Sequence, residues 1–294
     1  MNRGESIKAH AAWGAVCLFW GTTYLAIRIG VKSLPPAMFL GTRFLVAGFI
    51  FALYLRWRGL VFPNRGELGN LAVVAVALLV TANGLVVWAE QWVPSGLAAL
   101  IVATLPFWMA GFEAVLPSGS KLNLRKILGI IIGFTGLVIL FAPELKHSFD
   151  FSYLMGVSGL LFSAVCWAAG SVYSKYRPVR SHPLMAAAFE MLIAGSILVT
   201  IGLFFGESGR FGFDPRGLAA LVYLVIFGSL LGYGSFIYAL AKLPATKVSM
   251  YAYINPVIAV LLGWLVLGER LDRFVILSTA VILLGVVLVK SSRV

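Results

Sequence analysis

The sequence is short of charge, and shorter still of acid. Only 12% of its 294 residues are charged, with 11 Asp or Glu against 23 Lys or Arg. It has two cysteines and three histidines. Each scarcity excludes something. Cys17 and Cys166 both fall inside apolar stretches, so they make neither a disulfide framework nor a thiolate metal site. They read as small buried apolar residues. His10, His147 and His182 stand in loops or at the ends of apolar stretches, and no Asp lies within one. An enzyme needs a convergent nucleophile, base or metal set. None is offered here, so no catalytic residue, metal or cofactor is expected.

What is abundant is apolar. The hydrophobic fraction is 61% and the mean hydropathy +0.97. Ten apolar stretches recur from end to end, at about 9–29, 37–56, 68–88, 96–116, 126–142, 154–175, 183–205, 216–241, 246–267 and 273–290. Each is long enough to cross about 30 Å of hydrocarbon. The expected fold class is an all-α membrane protein of ten transmembrane helices, with no soluble domain left over. The first stretch has no small-residue cleavage site after a short core, so it reads as a retained span and not a signal peptide.

A net charge of +12 invites a nucleic-acid partner. Its distribution rejects one. Fifteen basic residues, Arg56, Arg58 and Lys175 among them, fall in loops on the side of the N-terminus. Seven, including Arg28, Lys32 and Arg270, fall on the other side, and Arg43 lies within a span. The richer side is expected to be cytoplasmic, which puts both termini there, as an even number of spans requires.

The chain also repeats itself. Residues 88–106, WAEQWVPSGLAALIVATLP, return in degenerate form 150 residues later as 238–256, YALAKLPATKVSMYAYINP. An offset of 147 relates Trp20 to Trp167, Arg28 to Lys175, Pro36 to Pro183, Arg43 to Glu190 and Gly48 to Gly195. The halves divide at 1–146 and 147–294, joined by a short polar linker at about 143–153. Each half holds five spans, and an odd number makes the second half enter from the opposite face. Two inverted five-helix repeats are therefore expected.

Several residues stand out within the spans. Trp20 is about 11 residues into the first, roughly 16 Å at helical rise and near mid-bilayer. Interface anchoring does not suit it; core packing and cavity lining both do. Pro106 and Pro256 each sit about 10 residues into a span, where proline frees the carbonyl four residues back, at Val102 and Ala252. In lipid such groups need partners or a wet cavity. The expected cavity lining is Trp20, Thr23, Tyr24, Asn83, Trp88, Trp108, Trp167, Ser171, Tyr233, Tyr253 and Asn255. Its aromatic, hydroxyl and amide character, without an acid in the inner part, favours a neutral, zwitterionic or aromatic solute. Cation–π contact would still admit a quaternary amine.

A charge inside a span costs about 2.5–3.5 kcal/mol, so it should face a partner or water. Arg43 and Glu190 are equivalent in the repeat, yet inversion places them at different depths. Glu90 is the expected partner of Arg43 near the outer face. Lys175 or Lys242 would serve Glu190 near the inner face. The five are either static glue or gates whose pairings exchange. Ser95 is expected to cap the helix it begins, and Asp214-Pro215 to start another. Gly129, Gly133 and Gly136 suit close packing within the monomer or, less readily, a dimer contact.

The motifs WGTTYLAIRIGV, PPAMFLGTRFLVAG, AEQWVPSGLAALIVATLP, EMLIAG and YAYINPVIAVLLGWLVLGERL carry a resemblance that covers essentially residues 9–290. They resemble the EamA branch of the drug/metabolite transporter superfamily, in particular its YedA-like bacterial inner-membrane members. The resemblance implies helices 1, 3, 4, 6, 8 and 9 around a central cavity, and export of amino acids, metabolites or amphipathic drugs. Gly268-Glu269 keeps a turn frequent in the family, while the first half reads PSGSKLN. Glu269 is therefore read as structural. The implied partners are a small-molecule substrate and membrane lipid. Uniport or uptake of the same solutes, and a non-transporting membrane subunit, stay open as alternatives.

Overall fold

The computed structural model describes residues 3–115, 123–141, 151–212 and 214–291. Most of the 143–153 linker, and most of the PSGSKLN segment, lie outside them. The described chain is helical throughout. The helices are α1 (Arg3–Gly30), α2 (Pro36–Trp57), α3 (Arg65–Ala89), α4 (Ser95–Val115), α5 (Leu124–Phe141), α6 (Phe151–Tyr176), α7 (Pro183–Phe204), α8 (Pro215–Lys242), α9 (Tyr251–Leu267) and α10 (Arg273–Ser291). Seven are long and apolar enough to cross a membrane; α5, α9 and α10 carry shorter apolar stretches.

The local chemistry explains where the helices start and bend. Pro36, Pro183 and Pro215 each open a helix at its first turn, where the missing N–H costs nothing. Asp214 caps α8 as its sequence suggests, accepting the Gly217 N–H at 2.8 Å. Asn64 and Glu67 form a reciprocal capping box at the start of α3. Ser95 does not cap α4: Pro94 holds that position, and the Ser95 hydroxyl donates elsewhere.

Two helices widen to π geometry, α3 over Ala75–Asn83 and α8 over Leu224–Tyr233. Such turns free carbonyls and gather at functional sites. Two others break. In α4 the break falls at Ala103 and Thr104, so Pro106 sits in the first turn of the following segment, Leu105–Val115. In the second half a short turn, Ala245–Val248, ends at Ser249 and Met250, and Pro256 lies inside α9.

The packing has a regular pattern. α2 lies along α7, and α5 along α10. α1 packs on α9 and on the widened part of α8; α6 packs on α4 and on the widened part of α3. Exchanging the first five helices for the last five maps α2–α7 and α5–α10 onto themselves and the contacts of α1 onto those of α6. Glycine permits the closest approaches. A Cβ on Gly48 of α2 would stand 2.9 Å from the Ala188 carbonyl oxygen, and one on Gly195 of α7 2.6 Å from the Leu45 nitrogen. Gly285 of α10 meets the Gly129–Gly133 backbone of α5 in the same way, so this glycine stripe is used within the chain. Phe49, Leu53, Trp57 and Phe204 point outward from the α2–α7 pair.

Candidate functional site

Between α1, α2, α3, α4, α6, α8 and α9 lies a cavity of about 60 Å³. That admits a few waters at most. It is lined by Trp20, Thr23, Tyr24, Asn83, Trp167, Tyr233 and Asn255, all expected from the sequence, and also by Arg43, Phe44, Val102, Ser163, Gly228 and Tyr251. Three expected residues lie elsewhere. Trp88 packs edge-on to Trp92 at 4.9 Å and faces a separate recess beside Glu207 and Arg210. Trp108 turns toward α5, edge-on to Phe134 at 5.7 Å. Ser171 is fully buried and donates to the Trp167 carbonyl of its own helix at 2.7 Å. The Tyr253 side chain lies outside the described ones.

Trp20 and Trp167, related by the repeat, meet edge to face at 5.3 Å. Tyr251 and Phe236 each sit 5.1 Å from Trp20. Core packing and cavity lining are thus one role for these rings. The Trp20 indole donates to the Gly228 carbonyl at 3.1 Å, inside the widened turn of α8. The glycine-rich sequence there has a steric reason. Any side chain at Gly232 would overlap the Trp20 indole, and a Cβ at Gly228 would come 2.7 Å from Nη2 of Arg43. Asn255, oriented by its partners, donates to the carbonyls of Tyr251 and Cys17 at 3.2 Å and ties α9 to α1.

The charged residues pair differently from expectation. Arg43 does not meet Glu90. It lies in the cavity wall, where Nε donates to the Ser229 hydroxyl at 2.8 Å. Glu90 is fully buried beside Arg28 and Glu269, and Arg28 donates to its backbone carbonyl. Glu190 pairs with neither lysine. It accepts the Tyr233 hydroxyl at 2.6 Å. Lys175 shares a recess with Glu190 but gives its ammonium to the carbonyls of Leu240 and Leu243, at 2.9 and 3.0 Å. Lys242 bridges to Glu5 at 3.6 Å. For Arg28 and Lys175 the physical reason is shared: the ends of α3 and α8 offer unsatisfied carbonyls, and these hold the two cations.

Polar ties join the helices around the cavity. At one end, Arg28 ties α1 to the end of α3, and Glu269 ties the end of α9 to the start of α4. At the other, Lys175 ties α6 to the end of α8. Arg28 and Lys175 are 147 residues apart, and the carbonyls they hold, at Glu90 and Leu240, are 150 apart.

A description of the EamA-like transporter family matches residues 11–142 and again residues 154–291. The chain belongs to that family. The uncharacterized inner membrane transporter YedA of Escherichia coli strain K12 is 37% identical over 290 residues, 98% of this chain and 92% of its own. Protein PagO of Salmonella typhimurium strain LT2 is 29% identical over 280 residues, 95% and 91% of the two chains. A crystal structure of another protein superposes with a TM-score of 0.71 over 95% of each chain at 21% identity, which shows a shared fold. Membership makes this EamA-like chain a multi-pass membrane protein of a transport family.

Sequence reasoning missed Ser163, Gly228 and Tyr251 as lining residues. Helical spacing carried the signal for two of them. Ser163 is four residues before Trp167 and Tyr251 four before Asn255, so each shares a face with a residue already singled out. Glu269, read as structural, ties the end of α9 to the start of α4.

Proposed function

We propose that this EamA-like protein is a secondary transporter of the bacterial inner membrane. It exports small organic molecules by alternating access between two inverted five-helix repeats, residues 1–146 and 147–294. The observation that carries this reading is the pair of ties at Arg28 and Lys175, symmetric in the repeat and placed at opposite ends of one aromatic cavity. Such a cavity opens to one side when one tie breaks, while the other tie keeps the far side shut. The two stretches matched by the family description, and the helix contacts that exchange between halves, support the repeat. The Lys175 end carries the excess of basic residues and is the cytoplasmic end by the positive-inside rule. Export follows the family resemblance. Arg28, Lys175 and Glu269 are the gates, and Glu190 with Tyr233 forms a thin partition between the cavity and the cytoplasmic recess. A transporting monomer suffices for this cycle.

The test is counterflow in proteoliposomes with a labelled panel of amino acids, aromatic carboxylates and aromatic cations, with and without a pH gradient. Saturable exchange of one class, reduced in Trp20→Ala and Trp167→Ala, is the expected outcome. Absence of exchange across the panel in protein that remains folded would count against a carrier.

A further inference from the structure

Arg43 is 4% exposed, in the middle of the bundle, and lines the central cavity. Its Nε is satisfied by Ser229. Its Nη2 face lies against Gly228, which leaves room for it by having no side chain. The cation lies 5.0 Å from the Phe44 ring. Its Nη1 is buried and has no hydrogen-bond partner, and Arg43 forms no ion pair with any described acid. The cavity lining contains no Asp, no Glu and no other cation. A lone guanidinium inside a span is costly unless it faces water or an anion, and leaving a buried charged donor unmade costs more than making it. Ser229 fixes its orientation, Gly228 admits it, and Arg43 lines the cavity while its buried Nη1 is left without a partner.

We propose that Arg43 is the anchor for a carboxylate of the transported molecule, and that the site takes organic anions or zwitterions with an apolar or aromatic body. The inference rests on the transport reading above and narrows it. The planar fork matches a carboxylate. Trp20, Trp167, Tyr233 and Tyr251 supply the apolar wall for the remainder of the molecule. The same arrangement disfavours cations: a bare amine would enter beside an unpaired positive charge with no acid to offset it. At about 60 Å³ the cavity has room for the carboxylate at the anchor, and the body of the ligand is accommodated as the proposed cycle opens one side.

The experiment uses the full-length protein in nanodiscs, reading tryptophan fluorescence and thermal stability. Two matched triads serve as probes: benzoate, benzamide and benzylamine; and 3-phenylpropanoate with its amide and amine. The carboxylates should quench saturably and raise Tm, with the amides and amines at least tenfold weaker. In Arg43→Gln the carboxylate preference should disappear, while Arg43→Lys retains part of it. Ligand-free Arg43→Gln should be as stable as the parent or more so, because an unpaired buried charge is removed. Equal binding within each triad, no binding of either carboxylate, or a clear fall in the Tm of ligand-free Arg43→Gln would overturn the assignment. Counterflow separates this inference from the broader one. Exchange of a neutral or cationic solute unimpaired in Arg43→Gln keeps the transporter and removes the anion site. Arg43-dependent carboxylate binding without exchange keeps the site and removes the transporter.

Discussion

Glu269, two residues past the end of α9, holds the first turn of α4 at Ser95. Its Oε1 accepts the Ser95 N–H at 2.9 Å and the Ser95 hydroxyl at 2.8 Å, while Oε2 accepts the Gly96 N–H at 3.1 Å. A carboxylate at a helix N-terminus is favoured both by the free N–H groups and by the dipole. Here it belongs to a residue beyond another helix, so the cap doubles as a clasp between α9 and α4, one of the proposed gates. Hydrogen bonds to a charged group are worth about 1.5–3 kcal/mol each. Glu269→Gln, which keeps the shape and loses the charge, should weaken the clasp by about the lower figure and raise the population open at this mouth about tenfold. A cysteine at Val102 in the cavity wall, labelled by an impermeant maleimide from the outside, reads that population. Unchanged labelling would mean that the clasp is not a gate.

The opposite mouth makes the mirror prediction. Lys175→Met removes the donor that holds the carbonyls of Leu240 and Leu243 and leaves the apolar stem in place. The same Val102 cysteine should then label several-fold faster from the Lys175 end and no faster from the Glu269 end. Arg28→Met should do the reverse. Two variants that shift labelling toward the same side would remove the two-gate cycle.

Tyr233 touches both spaces: its ring lines the cavity, and its hydroxyl reaches Glu190 in the recess beside Lys175. Tyr233→Phe removes the only hydrogen bond to that buried carboxylate among the described residues and should lower Tm by roughly 3 °C or more for a chain of this size. Leaving one partner unsatisfied is costlier than removing both. Adding Glu190→Gln should therefore recover part of the loss. Additive losses in the double variant would show that the two side chains are independent.

Much of this was legible in the sequence. The apolar stretches give the helices, and the 147-residue offset gives the pairs Trp20 with Trp167 and Arg28 with Lys175. Those pairs are ones that the fold uses, the first by contact and the second by symmetry. The ion pairing was not legible. Charge complementarity suggested Arg43 with Glu90 and Glu190 with Lys175, but Arg43 finds the Ser229 hydroxyl and Lys175 the carbonyls at the end of α8, and sequence does not show which neutral acceptors lie within reach. Side-chain direction was also hidden. Trp88 and Trp108 have the right depth and type for a cavity, and only the rotation of α3 and α4 turns them away from it. The π turns of α3 and α8 change that rotation partway along a helix, where a 3.6-residue period no longer predicts the face.

Asp214 gives a pH-dependent test away from the cavity. Its carboxylate is held below the usual range, first by the Gly217 N–H and then by the Ser33 hydroxyl at 2.9 Å. The folded state thus prefers the ionised form. Its contribution is complete above the unfolded carboxyl value, about 3.9, and is lost as pH falls through the lower folded value. Asp214→Asn keeps a capping oxygen but has no proton to gain. The Tm of the parent should fall more steeply than that of Asp214→Asn below about pH 4. Parallel curves would show that the cap does not report on ionisation.

Gly228 sets the last prediction, because one missing methyl serves two cavity groups. Its carbonyl accepts the Trp20 indole, and its bare Cα admits the Arg43 guanidinium. Gly228→Ala improves helix propensity by about 1 kcal/mol, so on propensity alone the variant should be more stable. The added Cβ would sit 2.7 Å from Nη2 of Arg43 and 3.2 Å from the Thr23 methyl. The guanidinium is the mobile partner of the two, and it should swing away from Ser229 and out of register with the cavity. Stability should then be nearly unchanged, while substrate exchange falls at least tenfold. Combining Gly228→Ala with Arg43→Gln should cost no more exchange than Arg43→Gln alone, because the methyl acts through a group already removed. A further loss in the double variant would place the effect of Gly228 on Trp20 and the aromatic wall instead.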